Sequence, residues 1–433
     1  MIKLIIFGFL CLTLFADNKP LDGFNVVVKD FAVAGKTVRI SPFRGIGVVT
    51  VSLCFKNAGE KLSPKHKECL VALLAKAMGE STQSRSRAQL LAYALEHNVH
   101  VSFGTSDDNF TIMGKCPSHK LIELFALIKD ILFHSRFHDS DLARFKNEMS
   151  AGTLQAMQSP NAQLGELVKV TILKDHPYGT LQKTYLASLK NINANDLSAY
   201  VKTHFTQENL IISACGDIEE ADLAAQISDV ITALPKTFKT PLPATVHVTG
   251  PYQKHAQTFP VPQTVIQLLH EGIDANHPDF FALHVAMGCL SQHGIGLLSK
   301  KVRVEKGLTY DIGADLSMQD HYNTFNISTS TQTANVEKTI EAIKEVMSDI
   351  CKNGFSPELI EVVKKSFLGN YKRSFSSTGN ITTRLTNYQL KNRPIDFHKT
   401  LIEKISTLTA DEVNEAFKRF IKPDQFVIFT VGQ

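Results

Sequence analysis

Residues 189–217 read LKNINANDLSAYVKTHFTQENLIISACGD, and residues 405–433 read ISTLTADEVNEAFKRFIKPDQFVIFTVGQ. The two stretches align without a gap at a constant offset of 216. Ile192 falls opposite Leu408, Asn193 opposite Thr409, Asp196 opposite Glu412, Leu197 opposite Val413, Leu210 opposite Phe426 and Gly216 opposite Gly432. Each copy carries the same physical instruction. A helix-capping residue (Asn193, Thr409) has an acid three positions on, so that side chain and backbone cap each other reciprocally. An amphipathic helix follows, then a polar turn, then an apolar β-rich strand ending at glycine. Upstream, SDLARFKNEM from Ser140 matches SPELIEVVKKSF from Ser356 at nearly the same offset. The chain therefore reads as a tandem duplication of units of about 200 residues rather than three domains of ~150. The period is too long, and the copies too few, for a solenoid.

The join is visible at Leu234 to Tyr252, LPKTFKTPLPATVHVTGPY, with four prolines, one glycine and no helical period. It reads as an extended linker. The boundaries that follow are a first domain over 17–234, a linker over 235–250 and a second domain over 251–433. In the first half, a strand is expected over Gly47–Phe55 and helices over Lys65–Met78 and Arg87–His97. A hairpin of Val99–Thr105 and Phe110–Lys115 crosses SDDN, and helices follow at 118–133, 140–158 and 161–173. The second half repeats this with strands at 264–270, 308–316 and 323–330 and helices at 277–290, 295–303, 333–351 and 357–374. Strands grouped with segregated helices give an α+β fold, each half a mixed sheet with helices packed on one face.

Composition narrows the function classes. The 433 residues are 43% apolar and 20% charged, which excludes disordered, collagenous and coiled-coil chains. A net charge of +4 without a basic stripe argues against a nucleic-acid binder. Met1 to Phe15, MIKLIIFGFLCLTLF, has Lys3 followed by a short apolar run, too short to span a bilayer. It reads as a secretory signal peptide over 1–16 that would place the mature chain in the periplasm or outside the cell, without stable membrane insertion. Of seven cysteines, Cys11 leaves with that segment. The other six show neither C-x-x-C nor zinc-finger spacing and read as small buried apolar residues.

The second half carries MGCLSQHGIGLLSKKVRVEKGLTYDIGAD at 287–315. It resembles the C-terminal half of the pitrilysin/insulinase family of zinc metallopeptidases, which includes the mitochondrial processing peptidase. In that family a glycine-containing loop leads into a helix and an R-x6-Y pattern with GL-x-Y. Here these are Gly294, Gly296, Arg303, Gly307, Leu308 and Tyr310. DHPYGT at 175–180 and ENLIISACGDIE at 208–219 resemble first-half stretches of the same family. The resemblance covers nearly all of 24–433. It implies Arg303 and Tyr310 as binders of substrate and transition state, with Gly294 and Gly296 as substrate-binding backbone.

The family's metal site is missing from the sequence. Active members place H-x-x-E-H on the first helix of the N-terminal half, with a distant Glu as third ligand. Here that helix reads KHKECLVALLAKAMGEST, with His66 and Glu68 but no second histidine. Neither H-x-x-E-H nor H-E-x-x-H occurs anywhere in the chain. Glu148 lies near the third ligand's position, but a lone helical Glu reads first as a surface charge. His97 and His100 in EHNVH, and His134 with His138 at i, i+4, are weaker metal candidates without a carboxylate in register. No nucleophile elbow, P-loop or dinucleotide fingerprint is present.

What remains is a guanidinium and a phenol seven positions apart, both able to donate to a peptide carbonyl and to the oxyanion that develops from it. The resemblance therefore implies an exported subunit that binds no zinc itself and is inactive alone. It would close a clam-shell around peptide substrates with a homologous zinc-bearing partner and supply Arg303 and Tyr310 in trans. Two alternatives stay open: a structural or peptide-binding scaffold without a role in catalysis, including as a homodimer, and a peptidase with an unrecognised metal set.

Overall fold

The computed structural model describes residues 26–248 and 253–433. The expected signal segment and residues 249–252 at the linker's end lie outside the described residues. The first half runs β1 (Lys29–Val33), β2 (Lys36–Pro42), β3 (Val48–Lys56), α1 (Leu70–Ala77), α2 (Arg87–His97), β4 (His100–Thr105) and β5 (Asn109–Pro117). It continues through α3 (Leu121–His134), α4 (Asp139–Ala156), α5 (Pro160–Ile172), α6 (Gln182–Ser188), α7 (Ala194–His204), β6 (Leu210–Gly216) and α8 (Glu220–Ala233). The second half runs β7 (Gln253–Thr258), β8 (Gln263–Glu271), α9 (Phe280–Ser291), β9 (Ile312–Met318), β10 (Asn323–Gln332) and α10 (Val336–Asn353). It ends with α11 (Pro357–Arg373), α12 (Thr378–Leu390), α13 (Phe397–Thr407), α14 (Ala410–Phe420) and β11 (Val427–Gly432).

The fold is α+β with one mixed sheet per half, in the orders β1-β2-β6-β3-β5-β4 and β7-β11-β8-β10-β9. The two orders superimpose once β1 is set aside. β2 pairs parallel with β6 as β7 does with β11, and the remaining neighbours are antiparallel. The repeat read from the sequence is physical. α7 and α14 have bounds 216 residues apart, and both carry a complete capping box. Asn193 Oδ1 accepts from the Asp196 N–H at 3.2 Å and Thr409 Oγ1 from that of Glu412 at 3.2 Å. Both copies end in glycine for lack of room. A Cβ at Gly216 would lie 2.1 Å from the Val48 carbonyl oxygen, and one at Gly432 would lie 2.2 Å from Thr264 Oγ1.

Each sheet has its own half's helices on one face. In the first half, β3 sends Val49, Val51, Leu53 and Phe55 into a core with α1, α3, α7 and α8. The other face is covered by a helix of the opposite half. α12 lies on the first sheet through hydroxyls: Thr378 Oγ1 is 2.8 Å from Thr50 Oγ1, Thr382 donates to the Thr50 carbonyl at 3.3 Å, and Gln389 donates to Ser213 Oγ at 2.8 Å. The reverse side of α12 (Ile381, Leu385, Tyr388) packs into the second half's core. Reciprocally, α5 covers the second sheet, but with apolar contacts: Leu164 and Val168 pack among Val265, Leu269, Val427, Phe429 and Val431.

Three boundaries differ most from the sequence reading. α1 starts at Leu70 rather than Lys65, because His66 sits at φ +67°, outside helical space. The helix expected over 295–303 is a π-helical turn, Ser299–Glu305. β9 begins at Ile312 rather than 308, since Thr309 Oγ1 bonds to the Asp311 and Ser330 carbonyls and holds that stretch as a loop.

Gly216→Ala should cost several kcal/mol, because it combines φ +142° with backbone overlap. Gly35→Ala, at φ +78° with nothing within 4 Å, should cost only about 1 kcal/mol of strain. Urea unfolding of the two variants checks the difference, and equal losses would contradict this account of the repeat's closing glycine.

Candidate functional site

The segment from Gly294 to Tyr310 is built by backbone constraint. Gly296 closes a tight turn after α9: its N–H donates to the Gln292 carbonyl at 2.7 Å, and a Cβ there would lie 2.6 Å from the Leu290 carbonyl oxygen. Gly294, at φ +81°, has open space around it. The π-helical turn that follows buries Val302 and leaves Arg303 half-exposed. Single π-turns are frequent at functional sites because the extra residue re-aims a side chain. Gly307, at φ +63°, lets the chain double back, and its N–H donates to the Arg303 carbonyl at 3.1 Å.

This reversal brings the two sequence-predicted donors together. The Arg303 guanidinium stands 5.0 Å over the Tyr310 ring. Tyr310 is 81% exposed. Among the described residues Arg303 has no ion-pair partner, so its N–H groups are available to an incoming acceptor. The end of the loop between them is tied to β10, since Thr309 bonds across to that strand and Thr331 donates to the Leu308 carbonyl. Next to Tyr310 in sequence, Asp311 lines a half-open groove of about 480 Å³ between the second sheet and the start of α5, at Pro160 and Asn161.

The sequence-predicted metal candidates are scattered. α1 reads LVALLAKA and carries no His, Asp, Glu or Cys. Just before it, Glu68 Oε1 accepts from the His66 N–H at 2.8 Å. Glu148 is half-exposed on α4 and pairs with Arg144 one turn away. His97 packs at a tilt against Tyr93 with ring centroids 4.4 Å apart, and His100 is an exposed strand residue. His134 ends α3 near Asp130, whereas His138 precedes α4. Among the described residues, no group of three or more His, Cys, Asp or Glu could hold a metal ion. The six cysteines of the described residues are free. Burial pushes the Cys69 thiol up to about 11 and the Cys289 thiol up to about 12, so neither is an activated nucleophile. No hydrogen bond, ion pair or ring contact joins the 299–310 segment to α1 among the described residues. Among the described residues, Arg303 and Tyr310 do not meet α1.

Two polar stretches form joints between the halves. Tyr178, from DHPYGT, is buried and donates to Asp108, from the SDDN hairpin turn. Asp108 Oδ2 also accepts from the Asp320 N–H at 3.3 Å, and Gln319 donates to Asp107 at 2.5 Å. Lys391 then pairs with Asp320 at 2.5 Å. Burial raises the Asp108 carboxyl above its ordinary range. The second joint is the threonine stripe of α12, which a search for apolar periodicity passes over.

The profile described as "Peptidase M16 inactive domain" matches residues 191–367. The chain is 22% identical over 379 residues to "Non-peptidase homolog YmxG" of Helicobacter pylori, covering 85% of each chain. It is 20% identical to "Mitochondrial-processing peptidase subunit beta" of Caenorhabditis elegans, covering 60% of this chain and 58% of that one. In fold it is similar to a peptidase M16 inactive domain from Pseudomonas fluorescens, with TM-score 0.84, 23% identity and coverage of 94% and 98%. It is also similar in fold to the periplasmic protease PqqL of Escherichia coli, with TM-score 0.78 and 15% identity, covering 94% of this chain and 46% of that one.

Arg303→Ala should lower stability by no more than about 1 kcal/mol, the scale of an exposed cation–π contact, and Tyr310→Phe should leave it unchanged. Gly296→Ala should cost clearly more, because its Cβ meets backbone. Thermal denaturation of the three variants separates the groups that face outward from the one that holds the turn.

Proposed function

We propose that this chain, which belongs to the pitrilysin/insulinase family and lacks its H-x-x-E-H motif, is the zinc-less subunit of a two-chain peptidase. It forms one wall of a clam-shell, and a homologous partner brings the zinc. Arg303 and Tyr310 hold the substrate's carbonyl from across the chamber, and Gly294 and Gly296 shape the backbone beside them. The observation that carries this reading is the split between the two halves. Tyr310 is exposed, Arg303 stands half-exposed over its ring with no ion-pair partner among the described residues, and α1 offers no metal ligand at all. A guanidinium held over a ring on a hydrogen-bonded turn costs little to orient toward an oxyanion.

The similarity to an inactive M16 domain and to a non-peptidase homolog supports a chain that carries no zinc of its own. We further propose export to the periplasm, directed by the segment at 1–16. No helix among the described residues is long and apolar enough to cross a membrane. The substrates are unfolded peptides, which an Arg/Tyr pair recognises through the main-chain carbonyl rather than through a particular side chain.

The test is co-expression with a homologous chain that carries H-x-x-E-H, followed by a peptide-cleavage assay. Arg303→Ala and Tyr310→Phe should each slow cleavage by about 10²–10³, the scale of one lost oxyanion donor. Co-purification of the two chains should be unaffected. Cleavage that survives both substitutions would leave this chain a scaffold.

A further inference from the structure

Three histidines fasten the linker: two reach it from the first half and one lies on it. His204 Nε2 is 3.0 Å from Thr240 Oγ1, His176 Nε2 is 2.9 Å from the Ala244 carbonyl oxygen, and His247 Nδ1 is 2.7 Å from Glu271 Oε1. The partners of each ring decide what a second proton does there. His204 faces groups that can accept on both sides: Thr240 Oγ1 at Nε2, and Thr203 Oγ1 and the Tyr200 carbonyl at Nδ1. His247 has the Glu271 carboxylate beside it, so protonation turns its hydrogen bond into an ion pair.

His176 differs from both. The Ala244 carbonyl can only accept, so Nε2 carries the proton. The Tyr178 N–H can only donate, at 3.3 Å, so Nδ1 keeps its lone pair. The two partners together fix the neutral Nε2–H tautomer. A second proton on Nδ1 would face the Tyr178 N–H, donor against donor. No carboxylate pairs with this ring among the described residues. Its own loop presents the Tyr178 ring edge-on at 5.0 Å, the linker presents a carbonyl, and the second half presents His321. Burial holds the imidazole below its ordinary range, the Ala244 carbonyl opposes that shift and His321 adds to it.

This ring stands where three parts of the chain meet. Tyr178 donates to Asp108, and Asp108 accepts from the Asp320 N–H of the second half. Two residues beyond Ala244, the Val246 N–H donates to the His321 carbonyl at 2.8 Å. We propose that His176 is a proton-sensitive latch on the linker. Neutral, it holds Ala244 and caps the turn that presents Tyr178 to Asp108. Protonated, it moves off the Tyr178 N–H, and the linker from Ala244 to Val248 loosens with it. The latch does not depend on the partnered reading above.

A histidine that is harder to protonate folded than unfolded adds stability that is complete above the ordinary imidazole value of about 6.5 and fades as pH falls through it. Asp108 works the other way, since burial raises its carboxyl and a proton taken up there favours the folded joint. Variants that keep Asp108 therefore isolate the histidine.

The test is hydrogen–deuterium exchange of the full chain at pH 7.5 and 5.5, scaled by the intrinsic exchange rate at each pH and read by mass spectrometry on residues 241–248. That segment should lose about fivefold protection at pH 5.5, the scale of one hydrogen bond. Residues 235–240, where the Phe238 N–H donates to Glu208, should keep theirs. His176→Asn leaves an uncharged cap for the Tyr178 N–H and should make 241–248 exchange alike at both pH values. His176→Gln serves the same purpose if His176→Asn fails to fold. His321→Gln should keep the response, because His321 meets Val246 through its backbone carbonyl. Equal protection at both pH values in the wild-type chain, a response that survives substitution of His176, or one that disappears with His321→Gln would each overturn the proposal.

Discussion

A mixed sheet has two faces to keep from water, and each half of this chain supplies a helical layer for only one. The second face is covered by exchange: α5 of the first half lies on the second sheet, and α12 of the second half lies on the first. Everything else follows from that exchange. Neither half is complete without the other, so the duplication is a requirement of packing. The exchanged contacts are also chemically unlike. α5 presents leucine and valine to a sheet face of Val265, Leu269, Val427, Phe429 and Val431, a dry contact favoured by burial alone. α12 presents Thr378, Thr382 and Thr386, each buried, to a face of Thr50, Ser52 and Ser213. That contact depends on hydrogen-bond matching, as between Thr50 and Thr378 and between Ser213 and Gln389.

The Asp108–Tyr178 joint extends the same constraint. The turn between β4 and β5 and the turn between β9 and β10 are equivalent places in the two copies. They meet each other through Asp107, Asp108, Gln319 and Asp320. Carboxylates so close together are held by Tyr178, a backbone N–H, Gln319, Lys61 and Lys391. DHPYGT, read from the sequence as a family mark, thus acts as a clasp between the halves.

Much of the fold was legible because the signals were local. The two capping boxes, the glycines closing the copies and the apolar alternation of β3 each announce their own structure. α12 was not legible. TGNITTRLTNYQL hides its contact face in threonines, which read as loop-like or solvent-facing until the opposing polar sheet is known. β1 and β2 were passed over although their hairpin signal is present: Ala34 and Gly35 both adopt positive φ between alternating strands. For the site, the sequence placed Arg303 and Tyr310 on one turn, and the structure stacks them. It could not show that Gly296 is needed for close backbone approach, a constraint visible only once the Leu290 carbonyl has a position.

The central claim is a division of chemistry, in which this chain keeps the carbonyl-binding donors and no metal. The most direct measurement is the zinc content of the purified chain after exhaustive dialysis, alone and then together with an H-x-x-E-H homologue. The account predicts no stoichiometric zinc in the chain alone and one zinc per pair in the complex. One tightly held zinc per isolated chain would contradict it, and would mean that residues other than those of α1 assemble a metal site.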